Sequence, residues 1–216
     1  MEFKELEALI RSRRSIRKWQ DKAVPEELLL KAIELATWAP NGGNQQNWRF
    51  YVITSRATVQ QIADAVQSTA NLMASWPEAE KLGYASRLRD NASFFRTAPA
   101  AIAVVASRYQ SVADQILEAR EKVDKTASRI RTLRNSADSK IQSVSSAIAY
   151  LLLILHQMGL GACWMTGPMQ SKEEIEKILK VPNGMDVCAF IPIGYPAENP
   201  APKDRKPVKE IAEIIR

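Results

Sequence analysis

The sequence predicts one domain built on a single β-sheet with helices on both faces. Three observations lead there. Four short segments, near residues 50, 103, 163 and 190, are apolar almost throughout, and a strand without alternation is one buried on both sides. Segments with apolar residues at helical spacing separate them, in an irregular order. The chain has 216 residues, 46% apolar and 25% charged, which suits one globular domain or at most two small ones. No internal repeat or linker divides it. At this size folding removes roughly 70% of the unfolded chain's surface from water, so no metal or disulfide staple is needed.

The elements follow in order. Residues 2–12 read as a short helix with Leu6, Leu9 and Ile10 at helical spacing. A second helix starts at Pro25, with Glu26 and Glu27 favouring its dipole and Leu28, Leu29, Ala32, Ile33, Leu35 and Ala36 giving an apolar face. Trp38-Ala39-Pro40 ends it, and a polar loop with two glycines (41–47) leads into a strand over 48–54. Residues 57–70 read as a helix. The stretch 71–97 is ambiguous, with a helix expected over 84–95, and a buried strand follows Pro99. Residues 111–140 read as one long charged helix. An apolar helix over 143–158 stops at Gly159. A strand over 160–165, a helix over 171–180 and a strand over 185–194 come next, and a Pro-rich extended segment (196–207) leads to a short terminal helix.

Charge and cysteines narrow the function classes. The formal net charge is +6, with basic clusters at 11–18, 120–140 and 203–209. The first and last are short and interleaved with Pro, Ser and Asp, and no nucleic-acid-binding motif accompanies them, so a phosphate pocket is expected rather than a nucleic-acid face. Cys163 and Cys188 sit in apolar contexts without metal-ligand spacing and read as small buried residues of a reducing compartment. The N-terminus lacks the apolar core of a signal peptide, and the longest apolar run, 147–155, is too short to span a bilayer. The expectation is a cytoplasmic protein with no membrane partner.

Four segments carry candidate chemistry. Arg13-Arg14-Ser15-Ile16-Arg17 places three guanidiniums and a hydroxyl within five residues, and the guanidinium fork suits phosphate. It also fits a solvated basic turn. The loop Pro40-Asn41-Gly42-Gly43-Asn44-Gln45-Gln46-Asn47 offers amides and exposed backbone, or is a plain turn. Gly159 to Pro168 holds two glycines in dinucleotide-like spacing, but Trp164 stands where the third is needed, so the simpler reading is a helix stop, a central strand and a ligand loop at Thr166-Gly167. Lys203-Asp204-Arg205-Lys206 is a basic cluster in the Pro-rich segment, and taken alone it also fits a solvated basic tail.

In this order, over about residues 8–210, the segments RRSIR, APNGGNQQNW with WRFYVI, LGLGACWMTG and PKDRKP resemble the FMN-dependent nitroreductase family. The resemblance implies an α+β three-layer sandwich with a mixed, mainly antiparallel sheet, a single domain over 1–216, and an intertwined homodimer with two FMN sites at the interface. It implies that Arg13, Arg14, Ser15 and Arg17 contact the phosphate, ribityl chain and pyrimidine edge, and that Lys203 and Arg205 form a second phosphate-binding pair. Pro40, Asn41, Gly42 and Asn44 correspond to the loop that reaches the flavin from the other subunit, with Gln46 at its end. Trp164 and Met165 lie beside the ring, Thr166 and Gly167 correspond to backbone amides facing it, and Asn91 to a ligand of the pyrimidine edge. The two glycines with Asn47, and Thr166 in place of a common Glu, depart from many relatives and bear on acceptor choice.

The chemistry so implied is ping-pong. NAD(P)H reduces FMN and leaves, and a small acceptor such as a nitroaromatic or quinone takes its place, with the flavin carrying the redox step. No catalytic side chain is required, and His156 reads as structural. The same motifs fit dehalogenation, azoline oxidation or flavin breakdown; a flavin carrier without activity or a basic nucleic-acid-binding domain are the readings from other classes. Within 108–140, Val112, Ile116, Ala119, Val123, Thr126, Ile130 and Leu133 follow a 4–3 spacing over about three heptads. That pattern fits a surface helix packed on its own domain, or a lid or dimer arm over the flavin.

Overall fold

The computed structural model describes residues 2–216. Four strands form one antiparallel sheet in the order β1-β2-β4-β3: β1 (Trp48–Ile53), β2 (Ala100–Ser107), β3 (Gly161–Ala162) and β4 (Met185–Gly194). Among the described residues nine α-helices surround it: α1 (Phe3–Ser12), α2 (Glu26–Ala36), α3 (Arg56–Ala74), α4 (Pro77–Lys81), α5 (Ala85–Asn91), α6 (Val112–Arg120), α7 (Lys125–Ser136), α8 (Ser139–Gln157) and α9 (Lys172–Leu179).

Strand alternation divides the core into two layers. On β2, Ile102 and Val104 face Leu29, Ala32 and Ala36 of α2 and Ile148, Leu151 and Leu155 of α8. Ala101, Ala103 and Val105 face the opposite way, toward Val59, Ile62 and Val66 of α3, Phe95, and Ile175 of α9. The sheet is therefore the middle of three layers, and its central strands are apolar throughout because both faces are covered. A bulge pairs Val104 with Ala189 but Val105 with Val187, leaving Cys188 as the extra residue. No helix among the described residues is long and apolar enough to cross a membrane.

Several expectations need correction. The four strands are antiparallel throughout; the one parallel pairing among the described residues is the isolated Ser15–Ala162 bridge. The strand expected over 160–165 shrinks to Gly161–Ala162, because the chain leaves the ladder at Cys163 and Trp164 and rejoins it at a Met165–Phe190 bridge. The ambiguous stretch 71–97 holds the end of α3, the short helices α4 and α5, and a 3-10 turn over Phe94–Thr97. The terminal helix is only a 3-10 turn, Val208–Glu210.

The largest correction concerns 111–140. The expected single helix is two, α6 and α7, folded back on each other. Asp124 caps the second, its carboxylate accepting from the Thr126 N–H at 2.8 Å. Folding back satisfies the charges: Arg134 meets Asp114 at 2.8 Å, and Arg131 pairs with Glu121 and, at 3.6 Å, Glu118. The 4–3 series makes no continuous seam, since Val112, Ile116, Val123 and Leu133 all face solvent.

Candidate functional site

The first cluster grows from the end of α1. The Arg13 N–H donates to Leu9 O at 3.2 Å, and the chain then turns extended, with φ −59° and ψ 130° at Arg13. Ile16 and Trp19 point inward and are buried. The Ile16 N–H donates to Ala162 O at 3.1 Å and the Trp19 indole to Gly161 O at 2.9 Å. Gly161 is needed for this contact, because a Cβ there would lie 2.7 Å from Ile16 Cγ1. Glu198 accepts from the backbone N–H groups of Arg17 and Lys18. The segment is thus sewn to the edge of the sheet, and the inward turn of Ile16 and Trp19 leaves Arg13, Arg14, Ser15 and Arg17 to line an outer cavity.

That cavity has a volume of about 170 Å³, and its wall is completed by Pro200, Ala201, Lys203 and Arg205 from the C-terminal segment. Arg13, Arg14, Lys203 and Arg205 also line an adjoining space of about 640 Å³ against Phe3, Leu6 and Ile10 of α1. Burial first, then Arg14 and Arg205, push the Arg13 guanidinium below its ordinary value. The Arg14 Nη1 donates to Arg11 O at 2.6 Å and Arg13 O at 2.8 Å. Its Nε is buried without a partner among the described residues. A buried donor left unmade costs about 1–3 kcal/mol. Crowded cations and an orphaned guanidinium N–H are the donor set of an anion site. Cys163 lies beneath as a buried free thiol, pushed up by burial more than the nearby Arg17 lowers it.

The 40–46 loop is held elsewhere. Pro40 O accepts from Ser146 Oγ at 2.6 Å and the Gly42 N–H donates to Ser143 Oγ at 3.2 Å, both in the N-terminal half of α8. Asn41 Oδ1 accepts from the Gln46 N–H at 3.0 Å. Gly43, Asn44 and Gln46 take positive φ. Gly42 has a different reason to be glycine: a Cβ would lie 2.5 Å from the ring of Tyr109. Tyr109 leads into α6, and Gln45 ties the same join down, its Nε2 donating to Gln110 O at 2.7 Å.

A third cluster follows β3. Trp164, Thr166 and Gly167 are exposed and Met165 is half-buried, at the start of a 3-10 turn over Gly167–Ser171. Neither the Thr166 nor the Gly167 N–H has an acceptor among the described residues. Asn91, at the exposed end of α5, is tied to none of these clusters.

Within one chain the structure therefore unites Arg13, Arg14, Ser15, Arg17, Lys203 and Arg205, and leaves the 40–46 loop in a separate region. The sequence reading missed Glu198, Tyr109 and the two α8 serines, none of which carries a local signal. It also missed a contact between Ser12 and His156, 2.9 Å apart.

The family model described as "Nitroreductase family" matches residues 10–195. A provisionally named NADH dehydrogenase/NAD(P)H nitroreductase of Methanothermobacter thermautotrophicus is 30% identical over 198 residues, covering 90% of this chain and 79% of the relative. A solved BluB-like flavoprotein of Clostridium difficile superposes over the whole of both chains with a TM-score of 0.83 and 29% identity. An iodotyrosine deiodinase solved with FMN and 3-iodo-L-tyrosine shares the fold, with a TM-score of 0.69 and 24% identity over 98% of this chain and 97% of its own.

Proposed function

The chain belongs to the nitroreductase family, and on that footing we propose that it binds FMN and uses it to pass electrons from NAD(P)H to a small-molecule acceptor. The observation that carries this reading is the cationic cavity of Arg13, Arg14, Ser15, Arg17, Lys203 and Arg205. It has the donors a phosphate monoester takes, and the unpartnered Arg14 Nε fits an absent anion. When bound, FMN supplies the two-electron chemistry. The chain's own groups hold and tune it. Arg13, Arg14, Lys203 and Arg205 neutralise the phosphate, Ser15 and Arg17 reach toward the polyol and pyrimidine edge, and the free amides of Thr166 and Gly167 face the ring beside Trp164 and Met165. Arg17 stabilises negative charge gained on reduction.

A homodimer completes the site. The loop Pro40, Asn41, Gly42 and Asn44, with Gln46 at its end, reaches the partner's flavin, which accounts for its separation from the phosphate cluster within one chain. Leu6, Leu9 and Ile10 of α1, Leu35 of α2, and Tyr150, Leu153 and Ile154 of α8 line an open apolar space of about 610 Å³. Ile211, Ile214 and Ile215 of the C-terminal segment are 66%, 79% and 91% exposed. Surfaces of this kind mark interfaces. The α6–α7 hairpin, rooted through Tyr109 on Gly42, lies over the partner's flavin as an acceptor lid. Asn91 remains a candidate for the pyrimidine edge of the flavin. We place the protein in the cytoplasm.

The test is anaerobic reduction of the purified yellow protein by NADH and NADPH, followed by an acceptor screen. Rapid bleaching and reoxidation by nitroaromatics or quinones is expected. A protein that takes up no FMN overturns the proposal, and one that holds FMN but is not reduced is a carrier. The fold shared with an FMN-bound deiodinase favours a second reading, reductive dehalogenation. Halotyrosines in the same screen distinguish the two.

A further inference from the structure

His156 is the chain's one histidine. It stands in the last turn of α8, and its Nε2 lies 2.9 Å from the hydroxyl of Ser12, the last residue of α1. That hydroxyl also reaches Leu9 O at 3.2 Å, the same carbonyl that accepts from the Arg13 N–H. Ser12 is therefore the joint at which α1 stops and the extended segment of Arg13 and Arg14 begins, and His156 fixes that joint to α8. The charged groups acting on the imidazole are Arg13 and Arg14, from the segment beside it.

We propose that Ser12 and His156 form a positioning pair, which sets the direction in which Arg13 and Arg14 leave α1 and takes up a proton from solvent when those arginines close on an anionic phosphate. The inference rests on the FMN reading above. In the free chain, burial first, then Arg13 and Arg14, hold the imidazole below its ordinary value, which favours the neutral ring that shares a hydrogen bond with Ser12. A phosphate on the two guanidiniums cancels their field. What then remains beside burial is the carbonyl ends of α1 and α8, where a cation is favoured. Phosphate binding and His156 protonation thereby assist each other. The pair touches neither the flavin ring nor the acceptor; it acts through the two arginines.

A single histidine makes the test direct. The imidazole C–H signals of the full chain are followed by NMR against pH in three states: free, saturated with FMN, and saturated with riboflavin, which lacks the phosphate. The free midpoint should lie below the ordinary histidine value of about 6.5. FMN should move it up and riboflavin should leave it in place. FMN that binds without moving the midpoint, or riboflavin that moves it equally, overturns the proposal. Failure of FMN to bind at all overturns the cofactor reading and this inference with it. Two variants add a second readout. Ser12→Ala and His156→Gln should each weaken FMN by about fivefold, the worth of one net hydrogen bond, and leave riboflavin unchanged. The ratio of wild-type to His156→Gln affinity should grow from pH 8 to pH 6, and protonation of the FMN phosphate itself cancels in that ratio. Equal loss of FMN and riboflavin binding would mark a general structural role and contradict the proposal.

Discussion

Residues 13–20 and the α6–α7 hairpin both carry dense positive charge, yet they are anchored in different ways. The first is sewn to the sheet by backbone pairing at Ile16, by the buried Trp19 indole on Gly161 O, and by Glu198 across its amides. Its arginines, Arg13 and Arg14 half-buried and Arg17 exposed, lie on one side of a strand-like segment whose other side is core. The hairpin has one buried residue, Ala127, and is held mainly by ion pairs such as Arg134–Asp114 and Arg131–Glu118. Those two pairs are partly buried; Arg120–Asp124 is exposed, and a pair of that kind is worth little. The difference is one of burial: the charge of residues 13–17 is carried by a segment whose Ile16 and Trp19 are core, while the charge of the hairpin is carried by an element that buries only Ala127. On the proposed function, a cofactor segment backed by core beside an acceptor lid with little buried surface would suit a protein that keeps one cofactor and varies what it reduces.

This contrast can be broken by paired substitutions. The largest effect is expected from Trp19→Ala, which removes a buried ring, its hydrogen bond and its stack on Phe94. A loss of about 3–5 kcal/mol in denaturant unfolding is expected. Val123→Ala in the hairpin, where the side chain is exposed, should stay within about 0.5 kcal/mol. Comparable losses would erase the distinction.

Next in size is Arg13→Ala. Removing a charged donor worth about 1.5–3 kcal/mol should weaken FMN about 10- to 100-fold in a fluorescence titration. Arg120→Ala in the hairpin, exposed and paired with Asp124 at 3.3 Å, should leave FMN affinity unchanged. Replacing 112–138 by a short linker should alter acceptor preference by about tenfold, roughly 1.4 kcal/mol, without loss of flavin. An acceptor profile and dimer that survive intact would sink the lid.

The smallest effect concerns pH. Hydrogen bonds from Arg134 first, then Ser111, hold the Asp114 carboxyl well below the ordinary carboxylate range. A depressed carboxyl contributes stability above its unfolded value of about 3.9 and loses it as pH falls toward the folded one. Protection factors for hydrogen exchange in the hairpin, taken against the intrinsic rate at each pH, should therefore fall below about pH 4 while those of the β2 and β4 amides hold. Asp114→Asn should remove most of that pH dependence.

Burial patterns made the framework readable in advance. The helices at 26–36 and 143–158 and the strands near 50, 103 and 190 carry apolar periods set by the layers they pack between, so they emerge close to where they were expected. The hairpin did not, because its 4–3 spacing runs on through 121–124; Asp124-Lys125-Thr126, a visible N-cap, was the signal against a single helix. The cavity was half legible. Arg13, Arg14, Ser15, Arg17, Lys203 and Arg205 were found by residue type and company, and they do converge. Glu198, Tyr109 and the Ser12–His156 contact were not, because each matters through a partner more than 60 residues away, which no local pattern records.

The most direct test of the central claim is a flavin titration of the full chain with FMN and riboflavin side by side, in wild type and in Arg13→Ala/Arg205→Ala. The account expects FMN to bind at least about 100-fold tighter than riboflavin, as several charge-assisted contacts to one phosphate imply, and expects that gap to collapse in the double variant. Equal affinity for the two flavins in wild type, or a gap that persists without the two arginines, would contradict it.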